Sequence, residues 1–225
     1  MAVWGMLLLL MLGFAGTGTS QNAVLTTEDI SGPDQRLYNG RKYAYSPPYG
    51  TDGHPFLQAS EFIQGQISLQ GMEYTGLLLN LDVFNQQLLL QFSGKEGAVN
   101  TIEVSKAWIE HFSLGTKYFG YTDAGDGLRF YQIIGNGPVR VFWHFSKRLE
   151  IKPGSNRYMF SGPQKTAAVM KDGVLTPYKS KKGFLSVVGN DRQEVRAFLR
   201  KHRIRVMHAS DAEMTVLLDF INTRQ

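Results

Sequence analysis

The side chains with the most evident chemical potential are five histidines, His54, His111, His144, His202 and His208. Imidazole is the usual proton shuttle at neutral pH and the commonest metal ligand. None of the five stands in H-x-x-x-H or H-E-x-x-H spacing, and the chain has no cysteine, so a metal site would need ligands from separate segments. No metal and no other cofactor is expected. The tightest local group is Asp52-Gly53-His54, on a loop whose Pro47, Pro48 and Pro55 cannot donate to a ladder. An acid and a base two positions apart can serve a hydrolase that borrows a third group from elsewhere; the alternative is a hydrogen bond that fixes the loop.

Other motifs point away from catalysis. The acidic glycine turn from Asp123 to Gly127 lacks the spacing of a calcium loop. The glycines from Gly94 to Gly97 lack the Lys-Ser/Thr pair and the helix that aim amides at a phosphate, and no G-x-S-x-G element occurs. The aromatic run that includes Trp108, Phe112, Phe119, Tyr121, Phe130, Tyr131, Phe142 and Trp143 can stack on sugars, although strand spacing favours core and cross-strand pairs.

Charge supplies the stronger candidate. Residues 140–205 hold 16 basic and 4 acidic residues, whereas residues 21–139 hold 7 basic and 12 acidic. An asymmetry of this size steers anionic partners toward the C-terminal half. Arg192, Arg196, Arg200 and Arg203 fall at i, i+4, i+8 and i+11, one face of a helix, with Lys181 and Lys182 just before them. That face suits anionic lipid, a charged glycan or an acidic envelope protein; a solvated surface is the plainer alternative. Nucleic acid is not expected, because export and the lack of a recognised binding motif both argue against it.

These residues must be positioned by a β-rich scaffold. From Gly65 to Phe92 the apolar residues alternate in three runs: Ile67 and Leu69; Leu77, Leu79, Leu81 and Val83; Leu88, Leu90 and Phe92. A period of two predicts three antiparallel strands sharing a buried face, with turns at Gln70-Gly71 and Asn85-Gln86. Asn39-Gly40 between aromatic residues predicts a hairpin over 37–45. Gly135-Asn136-Gly137-Pro138 and Lys171-Asp172-Gly173 predict two more turns. The expected fold class is mainly β (α+β), an antiparallel β-meander or partly closed barrel with two C-terminal helices. Those helices follow from Asn190 or Asp191 as a cap before Val195, Phe198 and Leu199, and from the capping box Ser210 to Glu213 before Met214, Leu217, Leu218 and Ile221. Arg203-Ile204-Arg205-Val206 reads as a short strand or extended connector between them.

Residues 1–20 carry the apolar run Leu7 to Leu12 followed by small residues, which matches a secretory signal peptide cut after Ser20. No Lys or Arg precedes that run. Residues 21–36 read as a loose arm, 37–189 as the antiparallel domain and 190–225 as the helix pair packed on the sheet. No later stretch is long and apolar enough to span a membrane. Zero cysteines leave stability to packing and pairing alone.

The order of the Leu37-Tyr38-Asn39-Gly40 turn, the Gly53-His54-Pro55-Phe56 loop, the Gly65-Gln66-Ile67 strand opening, the Leu79-Asn80-Leu81-Asp82 strand and the capped helix pair resembles uncharacterised exported β-rich proteins of Gram-negative bacteria. The resemblance implies a β-rich fold and a periplasmic or cell-envelope location, and it implies no activity. The expectation is a non-catalytic binding or structural module for an anionic or amphiphilic partner, with the Asp52/His54 hydrolase as the alternative.

Overall fold

The computed structural model describes residues 24–26, 34–94, 97–125, 127–189 and 192–224. The expected signal peptide and the candidate caps Asn190 and Asp191 lie outside them. The N-terminal part holds β1 (Val24–Thr26), the helical turn α1 (Gln35–Tyr38), β2 (Arg41–Lys42), β3 (Ile63–Leu69), β4 (Met72–Asp82), β5 (Gln87–Ser93) and β6 (Val99–Glu103). There follow β7 (Ile109–Leu114), β8 (Lys117–Asp123), β9 (Leu128–Ile134), β10 (Arg140–Ser146), β11 (Leu149–Ile151), β12 (Tyr158–Phe160), β13 (Gln164–Lys171) and β14 (Val174–Tyr178). Three helices close the fold: α2 (Lys181–Val188), α3 (Arg192–Lys201) and α4 (Asp211–Asn222).

The antiparallel path runs β14-β13-β10-β9-β8-β7-β3-β4-β5-β6-β2, and β1 adds to β4 in parallel. The path is two meanders laid back to back. β3 to β6 step one way and β7 to β10 the other, with β3 paired to β7 at the joint. β11 and β12 form a separate hairpin. The two ends of the path do not meet, so the sheet is open rather than a barrel.

Local chemistry fixes the turns. Gln70 and Gly71 between β3 and β4 both take positive φ, as do Asp172 and Gly173 between β13 and β14. Those are the backbone angles of tight hairpin turns whose twist matches the flanking strands. After β4, the fully buried Asp82 accepts the backbone N–H groups of Phe84 and Asn85 at 2.9 and 2.8 Å, the Asn85 amide at 2.8 Å and the Tyr43 hydroxyl at 2.8 Å. Four donors on one carboxylate offset its removal from water.

The hairpin expected over 37–45 is not formed. Asp34 caps α1 instead, accepting from the Arg36 N–H at 2.9 Å, and the chain leaves Asn39-Gly40 to pair β2 with β6. Gly40 owes its identity to that approach, since a Cβ there would lie 2.3 Å from the Glu103 carbonyl oxygen. Of the arm expected over 21–36, Val24–Thr26 form β1 and Gln35 begins α1.

Two cores lie side by side on one face of the sheet, joined through the register Phe119–Gln132–Trp143. The alternating residues of β3, β4 and β5 pack with Phe112, Phe119 and Phe130, capped by Leu37 of α1 and Leu57. Across β9, β10, β13 and β14, one face packs Val141, Trp143, Val169 and Tyr178 against Phe184, Leu185, Val195, Leu199, Met214, Leu217 and Leu218 of the helices. Burial of each large side chain contributes roughly 1.5–3 kcal/mol. The two expected C-terminal helices are present, with a third, α2, before them. Ser180 caps α2, and Ser210 and Glu213 form the expected capping box on α4. Asn222, at the end of α4, clamps the β9–β10 turn by bonding both the N–H and the C=O of Val139, at 2.9 and 3.0 Å.

Candidate functional site

The region that gathers functional chemistry lies where the second meander opens. β9 and β10 stay paired only from Ile134↔Val141 to Gln132↔Trp143. Beyond that point the His144 ring contacts the Phe130 carbonyl at 3.1 Å and the Gln86 amide donates to the Phe145 carbonyl at 2.9 Å, so side chains replace the missing ladder. β13 stays paired along the whole of β10 and sets two small residues, Ala167 and Ala168, opposite Trp143 and Phe142. Alanines facing aromatic residues leave volume unfilled.

A cavity of about 370 Å³ results, lined by Ala124, Arg129, Tyr131, Lys165 to Ala168, Pro177, Tyr178, Lys179 and Met207. Its apolar wall comes from alanine, proline and tyrosine, and its cations from three separate segments. The Lys165 ammonium sits 3.5 Å from the centre of the Trp143 ring and donates to the Ala209 carbonyl at 3.1 Å. Burial pushes its pKa down, while the charge of Asp211 opposes that shift. Asp211, the first residue of α4, accepts from Lys117 of β8 and from the Gln132 amide of β9, the latter at 2.8 Å, which pins α4 over the sheet.

Two further donors lie beside Lys165. Tyr178 is 3% exposed, and its hydroxyl meets no hydrogen-bond partner. The indole Nε1 of Trp143 is likewise buried and unpartnered. Burial pushes the Tyr178 phenol up to about 12, with the nearby Trp143 N–H opposing the shift without reaching hydrogen-bond geometry. The phenol therefore remains a donor at neutral pH. Buried donors without acceptors are costly, on the order of 1–3 kcal/mol each, and cluster where a ligand completes them.

The candidate cations of the sequence flank this cavity along the chain. Arg192, Arg196 and Arg200 are exposed on α3, and Arg203 follows it at a φ of 55°. Arg192 donates to the Ser186 carbonyl at 3.3 Å, and Arg224 binds Glu194 at 2.8 Å. Arg196, Arg200, Arg203, Lys181 and Lys182 make no ion pair among the described residues. Lys181 and Lys182 occupy the first turn of α2, where the helix dipole disfavours cations. Their placement is thus not explained by helix stability. They lie two and three residues beyond the cavity-lining Lys179, and Arg205 lies two residues before the lining Met207.

Asp52 and His54 do not form a pair. The Asp52 carboxylate binds Lys152 at 2.6 Å, and its backbone bonds Tyr158 and Phe160 of β12 at 2.9 Å each. The His54 ring stacks on Phe56 with centroids 5.7 Å apart and leaves Nδ1 buried and unpartnered, while Lys147 binds the His54 carbonyl at 2.9 Å. Burial first and the Lys147 charge second push the His54 pKa down. The loop joins the β11–β12 hairpin to the sheet. His111 pairs with Glu73 at 3.3 Å on the outer face, and His202 stacks on Phe198. Among the described residues no three His, Asp or Glu side chains gather as metal ligands.

The cavity itself was not legible as a site in the sequence, because its lining comes from β9, β13, β14 and the segment before α4. The sole trace is the Ala167-Ala168 pair inside a strand otherwise built of larger residues. The chain is thus an open-sheet α+β protein with a cationic, partly apolar cavity and a separate row of exposed cations on α2 and α3. No protein-family model, no curated protein and no solved structure matches it.

Proposed function

We propose that the protein is a non-catalytic binding module for an anionic amphiphile, held in the cavity between β9, β13 and β14. The observation that carries this reading is the Lys165 ammonium and the buried, unpartnered Tyr178 O–H, which line the cavity together, with the Trp143 ring behind Lys165. Arg129, Lys165 and Lys179 line the cavity together with the Tyr178 hydroxyl, and no carboxylate among the described residues does, which suits an anionic oxygen, a carboxylate or a phosphate. Tyr131, Ala168 and Pro177 provide the apolar wall for the rest of the molecule, and about 370 Å³ lies within the range of small-ligand sites. The exposed cations of α2 and α3 raise the local concentration of such ligands and suit the anionic surface from which they come. A lipid-like ligand is favoured over a glycan or an envelope protein because the cavity combines charge with an apolar wall. A place in the bacterial envelope fits the export signal read at residues 1–20.

The test is a calorimetric titration of the protein with dodecyl phosphate below its micellar concentration. Dodecyl maltoside supplies the same chain without charge and inorganic phosphate the charge without the chain. Saturable one-to-one binding of dodecyl phosphate, at least tenfold weaker with either control and tenfold weaker in Lys165→Met, supports the reading. Equal binding of the uncharged detergent, or affinity unchanged in both Lys165→Met and Tyr178→Phe, overturns it.

A further inference from the structure

A second cluster lies further along the face of the sheet turned away from the helices, the face that also carries Tyr131, Ala168 and Pro177, and it shares no residue with the cavity described above. Strand register brings it together. Phe119 pairs with Gln132 and Ile133 with Phe142, so Tyr118 of β8 stands beside Ile133 of β9, and Arg140 lies two residues from Phe142 on the same face of β10. Tyr118, Ile133, Gly135, Asn136 and Arg140 enclose a depression of about 440 Å³.

Arg140 is the unusual member. Its guanidinium makes no hydrogen bond and no ion pair among the described residues, and its Nε is buried without a partner. It lies 5.9 Å from the centre of the Phe142 ring, and its charge reaches the Tyr118 phenol. Arg36, Arg41, Arg148 and Arg224 are matched with Asp34, Glu103, Glu150 and Glu194, and the unpaired Arg196, Arg200 and Arg203 are exposed, whereas the Arg140 Nε is buried. A planar fork of donors held on a strand without an acceptor fits a carboxylate, which it can bind through two parallel hydrogen bonds.

The rest of the depression sets the kind of carboxylate. Tyr118 is 44% exposed and offers a ring face beside the Ile133 side chain, a platform for the C–H face of a sugar. Burial keeps the Tyr118 phenol protonated, so its O–H and the Asn136 amide face the depression as hydroxyl partners. On the side of Tyr118 away from Arg140, the Glu73–His111 pair brings a carboxylate. An acidic ligand is thereby oriented, its charge repelled by Glu73 and drawn to Arg140.

We infer that the outer face of β8, β9 and β10 carries a binding site for a carboxylate-bearing sugar of the uronic acid class, with Arg140 taking the carboxylate and Tyr118 the ring. This site goes beyond the amphiphile cavity and does not depend on it.

The experiment is amide-resolved NMR titration of the protein with D-glucuronate, with D-glucose as the ring without the charge and acetate as the charge without the ring. The expected result is saturable shifts confined to Tyr118, Ile133, Asn136 and Arg140. Glucose and acetate should each require at least tenfold higher concentration. Arg140→Gln and the surface variant Tyr118→Ala should each lose the response, Arg140→Lys should weaken it tenfold, and Tyr178→Phe should leave it unchanged. No saturable shift with glucuronate, an equal response to acetate, or an unchanged response in Arg140→Gln overturns the site.

Discussion

The ammonium of Lys165 rests 3.5 Å from the centre of the Trp143 ring. This contact places a half-buried cation of β13 over a core aromatic residue whose own N–H has no acceptor. A cation over an indole gains up to about 2 kcal/mol when desolvated. Burial of the ammonium works against that gain, as the lowered pKa of Lys165 shows. The two effects oppose each other, so the contact holds the charge in place and adds less to the fold than an unopposed cation–π contact would.

Lys165→Met, which keeps the stem and removes the charge, should therefore change unfolding free energy by less than about 1 kcal/mol. Dodecyl phosphate affinity should nonetheless fall at least tenfold. Urea melts read alongside calorimetry separate the two effects. A large loss of stability would mean that Lys165 is a structural cation.

Tyr178→Phe should move stability and binding in opposite directions. The hydroxyl is buried and bonds nothing, so deleting it should stabilise the apo protein by up to about 1 kcal/mol, read as a higher midpoint in thermal unfolding. Ligand affinity should weaken. The same phenol, pushed up to about 12 by burial, holds its proton more tightly folded than unfolded. Its stabilising contribution is complete below the unfolded value near 10 and is lost as pH rises toward 12. Tyr74, raised to about 12 by burial and by its hydrogen bond to Asp34, adds to the same alkaline limb. Tyr178→Phe should make that limb shallower between pH about 10 and 12.

At the acid end the group to follow is Asp34. Hydrogen bonds from the Arg36 side chain, foremost, and from the Tyr74 hydroxyl at 2.7 Å lower its pKa to about 2 from 3.8. A depressed carboxylate contributes stability above the unfolded value, and the contribution is lost as pH falls from about 4 to 2. Arg36 is partly exposed, so solvent screening limits the effect to roughly 1 kcal/mol. Asp34→Asn should remove this part of the acid limb and lower stability at pH 7 through the lost ion pair with Arg36, because the Asn amide oxygen still caps α1. Equilibrium melts from pH 2 to 7 on both proteins decide it.

The contrast between the two halves of the chain explains what could be read in advance. Alternation from Ile67 to Phe92 declared β3 to β5 because one face is buried and a shift by one residue would expose every leucine. The capping box at Ser210 declared α4 because its partners are three residues apart. By contrast, Asn39-Gly40 misled: the local preference for a hairpin yields to the Asp34 cap and to pairing of β2 with β6 some 60 residues on. α2 also carried a signal, Ser180 before Phe184, Leu185 and Val188, but its lysine-rich first turn hides it. The cavity depends on where β9 parts from β10, a long-range event with no short sequence mark. Asp52 and His54 show the converse, since proximity in sequence does not bring their side chains together.

The joint between the meanders offers the sharpest structural prediction. Gly65 of β3 pairs with Leu77 of β4 on one side and Leu114 of β7 on the other, beside a register shift between Gly65 and Ile67. A Cβ at this position would lie 2.3 Å from the Ser113 carbonyl oxygen and 3.0 Å from Leu79 Cδ1. The first contact is with backbone and cannot be relieved by a rotamer change, so β7 itself would have to move. Gly65→Ala should destabilise the protein by at least about 3 kcal/mol, at the upper end of overpacking costs. Gly162→Ala is the matched control, because a Cβ there meets nothing within 4 Å, and its effect should stay within about 0.5 kcal/mol. If urea melts find the two variants equally stable, β3 and β7 are not packed as closely as their register requires, and the back-to-back arrangement of the meanders fails with them.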